Sequence, residues 1–181
     1  MYLLQQILEQ SSERAPEKSA LVSQSRRLTY REIDAEANRI ASSLRHLGVA
    51  RGDRVVIFAD NTAETVVGIW ATLKADAVFV VVNPQTRADK LAYILNDSRA
   101  AVMISDAHLA ATFAEAARKS THLRAVIVSG AIERDHVADV PGVVAYDAAR
   151  AEGDPQRMRP RAIGNDLADG QDHIDPMQRL E

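Results

Sequence analysis

The chain has 181 residues, of which 22 are Lys or Arg and 25 are Asp or Glu, with eight Gly, six Pro and no Cys. That length suits one domain that buries about 70% of its unfolded surface, and an apolar fraction of 46% excludes wholesale disorder. A net charge of −3 with one Trp, four Tyr and three Phe argues against a general nucleic-acid binder. The lack of Cys excludes disulfides, thiolate metal sites and cysteine nucleophiles.

In chain order, residues 2–13 predict a helix with Leu3, Leu4, Ile7 and Leu8 on one apolar stripe. Ala20-Leu21-Val22 and Leu28-Thr29-Tyr30 flank a polar run and read as a hairpin. Thr29 with Glu32 is a capping box that opens a helix burying Ile33, Ala37, Ile40, Ala41, Leu44 and Leu47, with Gly48 as its left-handed stop. Arg54–Phe58 is a strand. Asn61 and Glu64 then cap a helix that carries Val66, Val67, Ile69, Trp70 and Leu73 inward.

The run Ala77–Val82 is uniformly apolar, as for a strand covered on both faces, and Asn83-Pro84 ends it. Thr86 with Asp89 opens the next helix. Strand 101–104, an Ala-rich helix over about 106–119, strand 125–128 and a weaker strand 143–146 follow. Strands that alternate with helices predict an α/β fold, a mainly parallel sheet with helices on both faces. Residues 1–150 carry 18 basic and 18 acidic groups, whereas residues 151–181 carry 4 and 7, no aromatic residue and frequent Gly and Pro. These features predict a body over 1–150 and a divergent, disordered tail over 151–181.

The ends of the chain carry no pattern of a signal peptide, and no apolar run is long enough to span a bilayer, so a cytoplasmic location without a membrane span is expected. No Gly pair stands in G-x-G-x-x-G spacing and no G-x-x-x-x-G-K-[ST] occurs, so neither phosphate-binding loop is encoded. Asp172-His173-Ile174-Asp175 is a weak candidate for a divalent ion, while His46, His108, His122 and His136 read as solvated. Ser42-Ser43 lack a nucleophile elbow, Arg26-Arg27 reads as a solvated charge pair and Trp70 as core. No catalytic, cofactor-binding or metal residue is assigned.

The stretch Leu28–Asp106 resembles the N-terminal region of the adenylate-forming enzymes, the AMP-dependent synthetase and ligase family. Leu28-Thr29-Tyr30-Arg31-Glu32-Ile33 is similar to the first core motif of the family, L-T-Y-x-E-L, and Leu73–Pro84 to the second, L-K-A-G-A-V-Y-V-P-L-N-P. Leu91-Ala92-Tyr93-Ile94-Leu95-Asn96-Asp97-Ser98 matches L-x-Y-x-L-x-D-S, and Asn83-Pro84 leans toward the acyl-CoA synthetase branch over the peptide synthetases. Asp76 replaces the family's glycine and Val81 stands where proline is usual. Asn165-Asp166-Leu167-Ala168 resembles the lead-in to the family's Y-T-S-G-T-T-G-x-P-K phosphate loop, but neither that loop nor the later motifs for magnesium, adenine and the catalytic lysine follow.

The resemblance implies the N-terminal subdomain of the adenylate-forming fold. For an intact relative it implies a fatty-acid-type ligase that uses ATP, Mg²⁺ and CoA; for this chain alone it implies no cofactor. Three expectations stay open: an inactive fragment whose missing C-terminal portion lies in a neighbouring frame, half of a split ligase completed by a partner chain, or a non-catalytic regulatory domain, a homodimer among its forms. An exposed apolar patch is expected where further protein would pack.

Overall fold

A computed structural model describes residues 3–23 and 26–157. Helix α1 (Leu4–Arg14) leads into an antiparallel hairpin, β1 (Ser19–Ser23) and β2 (Arg26–Thr29), and then α2 (Tyr30–His46). The remainder alternates: β3 (Arg54–Phe58), α3 (Ala63–Lys74), β4 (Val78–Val82), α4 (Ala88–Asp97), β5 (Ala100–Asp106), α5 (Ala110–Arg118), β6 (Ala125–Ser129), β7 (Val143–Ala145) and α6 (Tyr146–Glu152). Strands β3–β7 form one parallel sheet in the order β4-β3-β5-β6-β7. Side chains alternate across this sheet. Val55, Val102 and Ile127 join the core under α1, α2, α3 and α6, and Val56, Phe58, Met103 and Val126 join the core under α4 and α5. The α/β fold with helices on both faces is the one the sequence pattern predicts.

Local chemistry sets most boundaries. Thr29 caps α2 as expected: its Oγ1 accepts from the Glu32 N–H at 3.3 Å, and its own N–H donates to Glu32 Oε2 at 2.7 Å. Gly48, at φ +84°, ends that helix in the left-handed region. The cap of α3 is Thr62 rather than Asn61, since the Thr62 hydroxyl accepts from Thr65 N–H at 3.4 Å. Helix α4 starts at Ala88 behind Arg87, not at Thr86, because Asn83 folds the preceding turn by accepting the Gln85 N–H at 2.8 Å. Along α1 the apolar stripe is narrower than expected. Leu3 and Leu8 are buried, but Leu4 and Ile7 are 49% and 54% exposed, and Gln5 and Ser12 face inward instead.

Asp76 occupies the left-handed conformation, φ +61°, that the glycine of the second core motif would supply. Its carboxylate accepts from Arg45 Nη2 at 2.8 Å, an ion pair that offsets part of the backbone cost.

Strand β4 departs from the expectation of burial on both faces. Among the described residues it is the sheet's edge, with Val78 and Val81 exposed, and Val81, Val22, Val66 and Ile69 line a shared groove beside the hairpin. Its hydrophobicity is therefore uncovered on one side, the apolar patch anticipated from the sequence. The Val78 N–H donates to Asp53 O at 2.8 Å, so alternation aims the Val80 and Val82 amides at β3 and the Val81 amide off the free edge. Val81→Pro should accordingly change the unfolding free energy by less than about 1 kcal/mol, whereas Val80→Pro should cost about 1–3 kcal/mol by removing a ladder bond. Urea unfolding of the two variants measures the contrast.

The boundary expected after residue 150 falls inside α6, which runs over Tyr146–Glu152, so Tyr146 begins a helix rather than ending a strand. Residues 153–157 pack back on α2. Asn38 Nδ2 donates to Pro155 O at 3.1 Å, and the Arg157 guanidinium contacts Asp34 Oδ2 at 3.1 Å and pairs with Glu13. The start of the expected tail is thus tied to the body, and its remainder, 158–181, lies outside the described residues. Lys74, at the end of α3, is buried and holds Glu9 of α1 at 2.9 Å and Asp34 of α2 at 2.8 Å. One ammonium thereby joins three helices.

Candidate functional site

From β3 the chain crosses to β4 on one side, then returns to β5 on the other side of β3. The loops that leave the carboxyl ends of β3 and β5 diverge there, and an open parallel sheet forms its natural crevice at such a switch point. The crevice has a volume of about 560 Å³ and is lined by the β3–α3 loop, the turn after β5 and the loop after β6. Asp60 and Thr62 come from the first, Asp106 and His108 from the second, and Ser129, Gly130, Glu133 and His136 from the third.

Each side chain is positioned by backbone. Asp106 closes β5 in register with Ser129 of β6 and is only 7% exposed. Its Oδ2 accepts the Asp60 N–H at 2.8 Å, and the Thr65 hydroxyl donates to the Asp60 carbonyl at 2.6 Å, which pins the β3–α3 loop from both sides. His108 sits on a single 3₁₀ turn (Ala107–Leu109) that carries Nε2 to 3.2 Å from Asp60 Oδ2. Two carboxylates and one imidazole present ligand atoms within 4.8 Å of one another. Ser105 does not join them as a nucleophile, because its buried hydroxyl donates to Phe58 O at 2.7 Å. The site thus offers oxygen and nitrogen donors suited to a cation, and the turns after β3 and β5 carry no glycine that would cradle a phosphate.

Burial pushes the Asp106 carboxyl above the ordinary carboxylate range, outweighing the Asp60 N–H and His108; Asp60 and Glu64 push in the same upward direction. A carboxyl raised in the folded state contributes stability at low pH that is lost as pH rises through the folded pKa. Asp106→Asn keeps an acceptor for the Asp60 amide and removes the charge. It should therefore raise the melting temperature in metal-free buffer at pH 7 and lose that advantage near pH 3, below both pKa values, which a pair of calorimetric scans will read.

The sequence reading places His108 and His136 in solvent. Both are exposed, yet both line this crevice. Asp60 and Asp106 carry no sequence motif. Their only local signal is an acidic residue directly after an apolar strand run, Ile57-Phe58-Ala59-Asp60 and Met103-Ile104-Ser105-Asp106, and strand order alone makes them neighbours. His46 and His122 are exposed and away from the crevice. Ser43 donates to Ala149 O at 2.6 Å and ties α2 to α6. Arg26 pairs with Glu36 at 3.0 Å and Glu64 at 2.5 Å rather than standing in solvent, and Trp70 packs against the core as expected. Asp172, His173 and Asp175 lie outside the described residues.

A model of the AMP-binding enzyme family matches residues 8–168. The chain belongs to that family. Among curated relatives, tyrocidine synthase 2 of Brevibacillus parabrevis is 37% identical over 106 residues, 59% of this chain and 3% of the relative. Among solved structures, the anthranilate CoA ligase AuaEII in complex with anthranoyl-AMP superposes with a TM-score of 0.81 at 24% identity, over 89% of this chain and 30% of the ligase. The N-terminal domain of FACL13 from Mycobacterium tuberculosis superposes with a TM-score of 0.73 at 26% identity, over 92% of this chain and 40% of that one.

This AMP-binding family chain therefore spans well under half the length of the relatives it matches. Its fold corresponds to the N-terminal adenylate-forming subdomain, and its relatives include both peptide synthetases and CoA ligases. No helix among the described residues is long and apolar enough to cross a membrane.

Proposed function

We propose that this chain is the N-terminal part of an ATP-dependent ligase of the acyl-CoA synthetase branch. In such a ligase a carboxylic acid and ATP give an acyl-adenylate and pyrophosphate, and CoA then displaces AMP to give the thioester. The observation that carries this reading is the family match over residues 8–168, laid on an unbroken series of core motifs from Leu28 to Ser98. The branch assignment is supported by Asn83-Pro84 and by 26% identity to a Mycobacterium tuberculosis fatty acyl CoA synthetase across 90% of the chain.

The matched motifs contribute packing, not phosphate contacts. Lys74 is consumed by Glu9 and Asp34, and Asp76 by a left-handed turn and Arg45. ATP, Mg²⁺ and CoA would accordingly be held by residues beyond these motifs, on the further polypeptide that makes the solved ligases longer. Donors and cations around the transferring phosphates are the part of the chemistry that polypeptide must supply. The uncovered edge of β4 and its apolar groove fit a fold that packs against additional protein.

A second reading, amino-acid activation as in a peptide synthetase, is favoured by the 37% identity to tyrocidine synthase 2. The two readings separate on substrate. The chain should be co-produced with a polypeptide that carries the family's phosphate loop and catalytic lysine, and assayed for acyl-hydroxamate formation across fatty, aryl and amino acids. Turnover of fatty or aryl acids, with CoA thioester formed, supports the first reading. Turnover confined to amino acids supports the second.

A further inference from the structure

We propose that the switch-point crevice is a binding site for a first-row divalent cation, held by Asp60, Asp106 and His108. The proposal stands apart from the ligase reading, since the family's own magnesium motif is not among these residues. It begins from Asp106. This side chain is more than nine-tenths buried, lines the crevice, and uses Oδ2 for the Asp60 amide, while Oδ1 accepts no hydrogen bond among the described residues. Asp106 Oδ1 is not sealed among the buried unpartnered atoms, so it opens to the crevice, where a cation from solution can reach the carboxylate. The described lining side chains include Asp60, Asp106 and Glu133 but no Lys or Arg, so a protein ammonium or guanidinium does not fill that role.

The donor geometry favours a metal. Ligands at about 2.1 Å in a tetrahedral shell stand about 3.4 Å apart, and His108 Nε2 already lies 3.2 Å from Asp60 Oδ2. The third ligand oxygen, on Asp106, falls within 4.8 Å of both. The two exposed ligands flank one fixed by β5, so their side chains can adjust without moving the sheet. An imidazole beside two carboxylates selects Mn²⁺ or Zn²⁺ over Mg²⁺ or Ca²⁺, which take oxygen alone. Three protein ligands leave at least one coordination position open to water, and the open side of the crevice admits it.

The test uses the full chain, stripped with chelator and dialysed, titrated with Mn²⁺ followed by the loss of the free-ion electron paramagnetic resonance signal, and with Zn²⁺ followed by calorimetry. One equivalent should bind per chain, and Asp106→Asn and His108→Ala should each weaken binding at least about tenfold. Neither substitution endangers folding, the first because it removes a buried charge and the second because His108 is exposed. Melting scans then give an independent reading: Mn²⁺ or Zn²⁺ should raise the midpoint of the natural chain and leave that of both variants unmoved. Undiminished binding by both variants would overturn the proposal and move the ion to another cluster, Asp172, His173 and Asp175 being the first to examine. Absence of binding to the natural chain would also overturn it.

Discussion

Lys74→Ala should lower the unfolding free energy by about 3–5 kcal/mol, the scale expected when one partner is removed from a buried ion pair. The ammonium is the common counter-charge of Glu9 and Asp34, at 2.9 and 2.8 Å, and its side chain is only 4% exposed. Without it two carboxylates from α1 and α2 face each other with less compensation, and α1 loses its polar tie to α3. Asp34 keeps Arg157, at 3.1 Å, so the loss falls mainly on Glu9 and on the docking of α1. For a domain of this size the melting temperature should fall by roughly 10 °C. Adding Glu9→Gln to Lys74→Ala should recover part of it, because the stranded charge is then removed as well. A loss under about 1 kcal/mol in urea titration would show that the network is solvated rather than buried.

Gly153→Ala should cost about 3 kcal/mol, near the upper end of overpacking penalties. The conformation of Gly153 is open to any residue; the obstacle is space, since a Cβ there would overlap the carbonyl and Cα of Arg39 on α2. Backbone gives way less readily than a side chain. Relief therefore requires residues 153–157 to lift, which breaks the Asn38–Pro155 hydrogen bond and the Arg157–Asp34 pair together. Limited proteolysis should consequently cut the variant just after α6 at protease levels that leave the natural chain intact. Because Asp34 is shared, Gly153→Ala and Lys74→Ala should be non-additive, and the double variant should lose more than the two singles combined.

The fold was legible in the sequence wherever local periodicity and covalent punctuation decide structure. Thr29 and Glu32, Gly48 and the apolar runs of β3, β5 and β6 specify their elements without help from the rest of the chain. Tertiary context decides the rest. A continuous apolar run cannot reveal that β4 is an edge, because its uncovered face depends on strand order and on what lies beyond the sheet. Leu4 and Ile7 follow a helical stripe, yet α1 docks through Gln5, Leu8 and Ser12 because Lys74 draws Glu9 toward α3. Helix α6 was hidden because seven residues carry too little periodicity to separate from the strand before them.

The candidate site was less legible still. Its two carboxylates are 46 positions apart and become neighbours only because β3 and β5 are adjacent in a sheet whose chain order runs through β4. Histidine in an Ala-rich stretch gives no warning that a single 3₁₀ turn will deliver it to Asp60. The family motifs direct attention elsewhere, to residues whose work is structural: Lys74 staples helices and Asp76 completes a turn.

As the proposed N-terminal part of an acid-activating ligase, these residues should not assemble its phosphate site alone. Acid-dependent exchange of labelled pyrophosphate into ATP tests it most directly, measured on the chain alone and on the chain combined with the polypeptide that carries the family's phosphate loop and catalytic lysine. Exchange should be absent from each part and present in the combination, and it should be lost again when the apolar edge is blocked by Val81→Asp. Exchange catalysed by this chain alone, or by the complementary polypeptide alone at the same rate as the combination, would contradict the account.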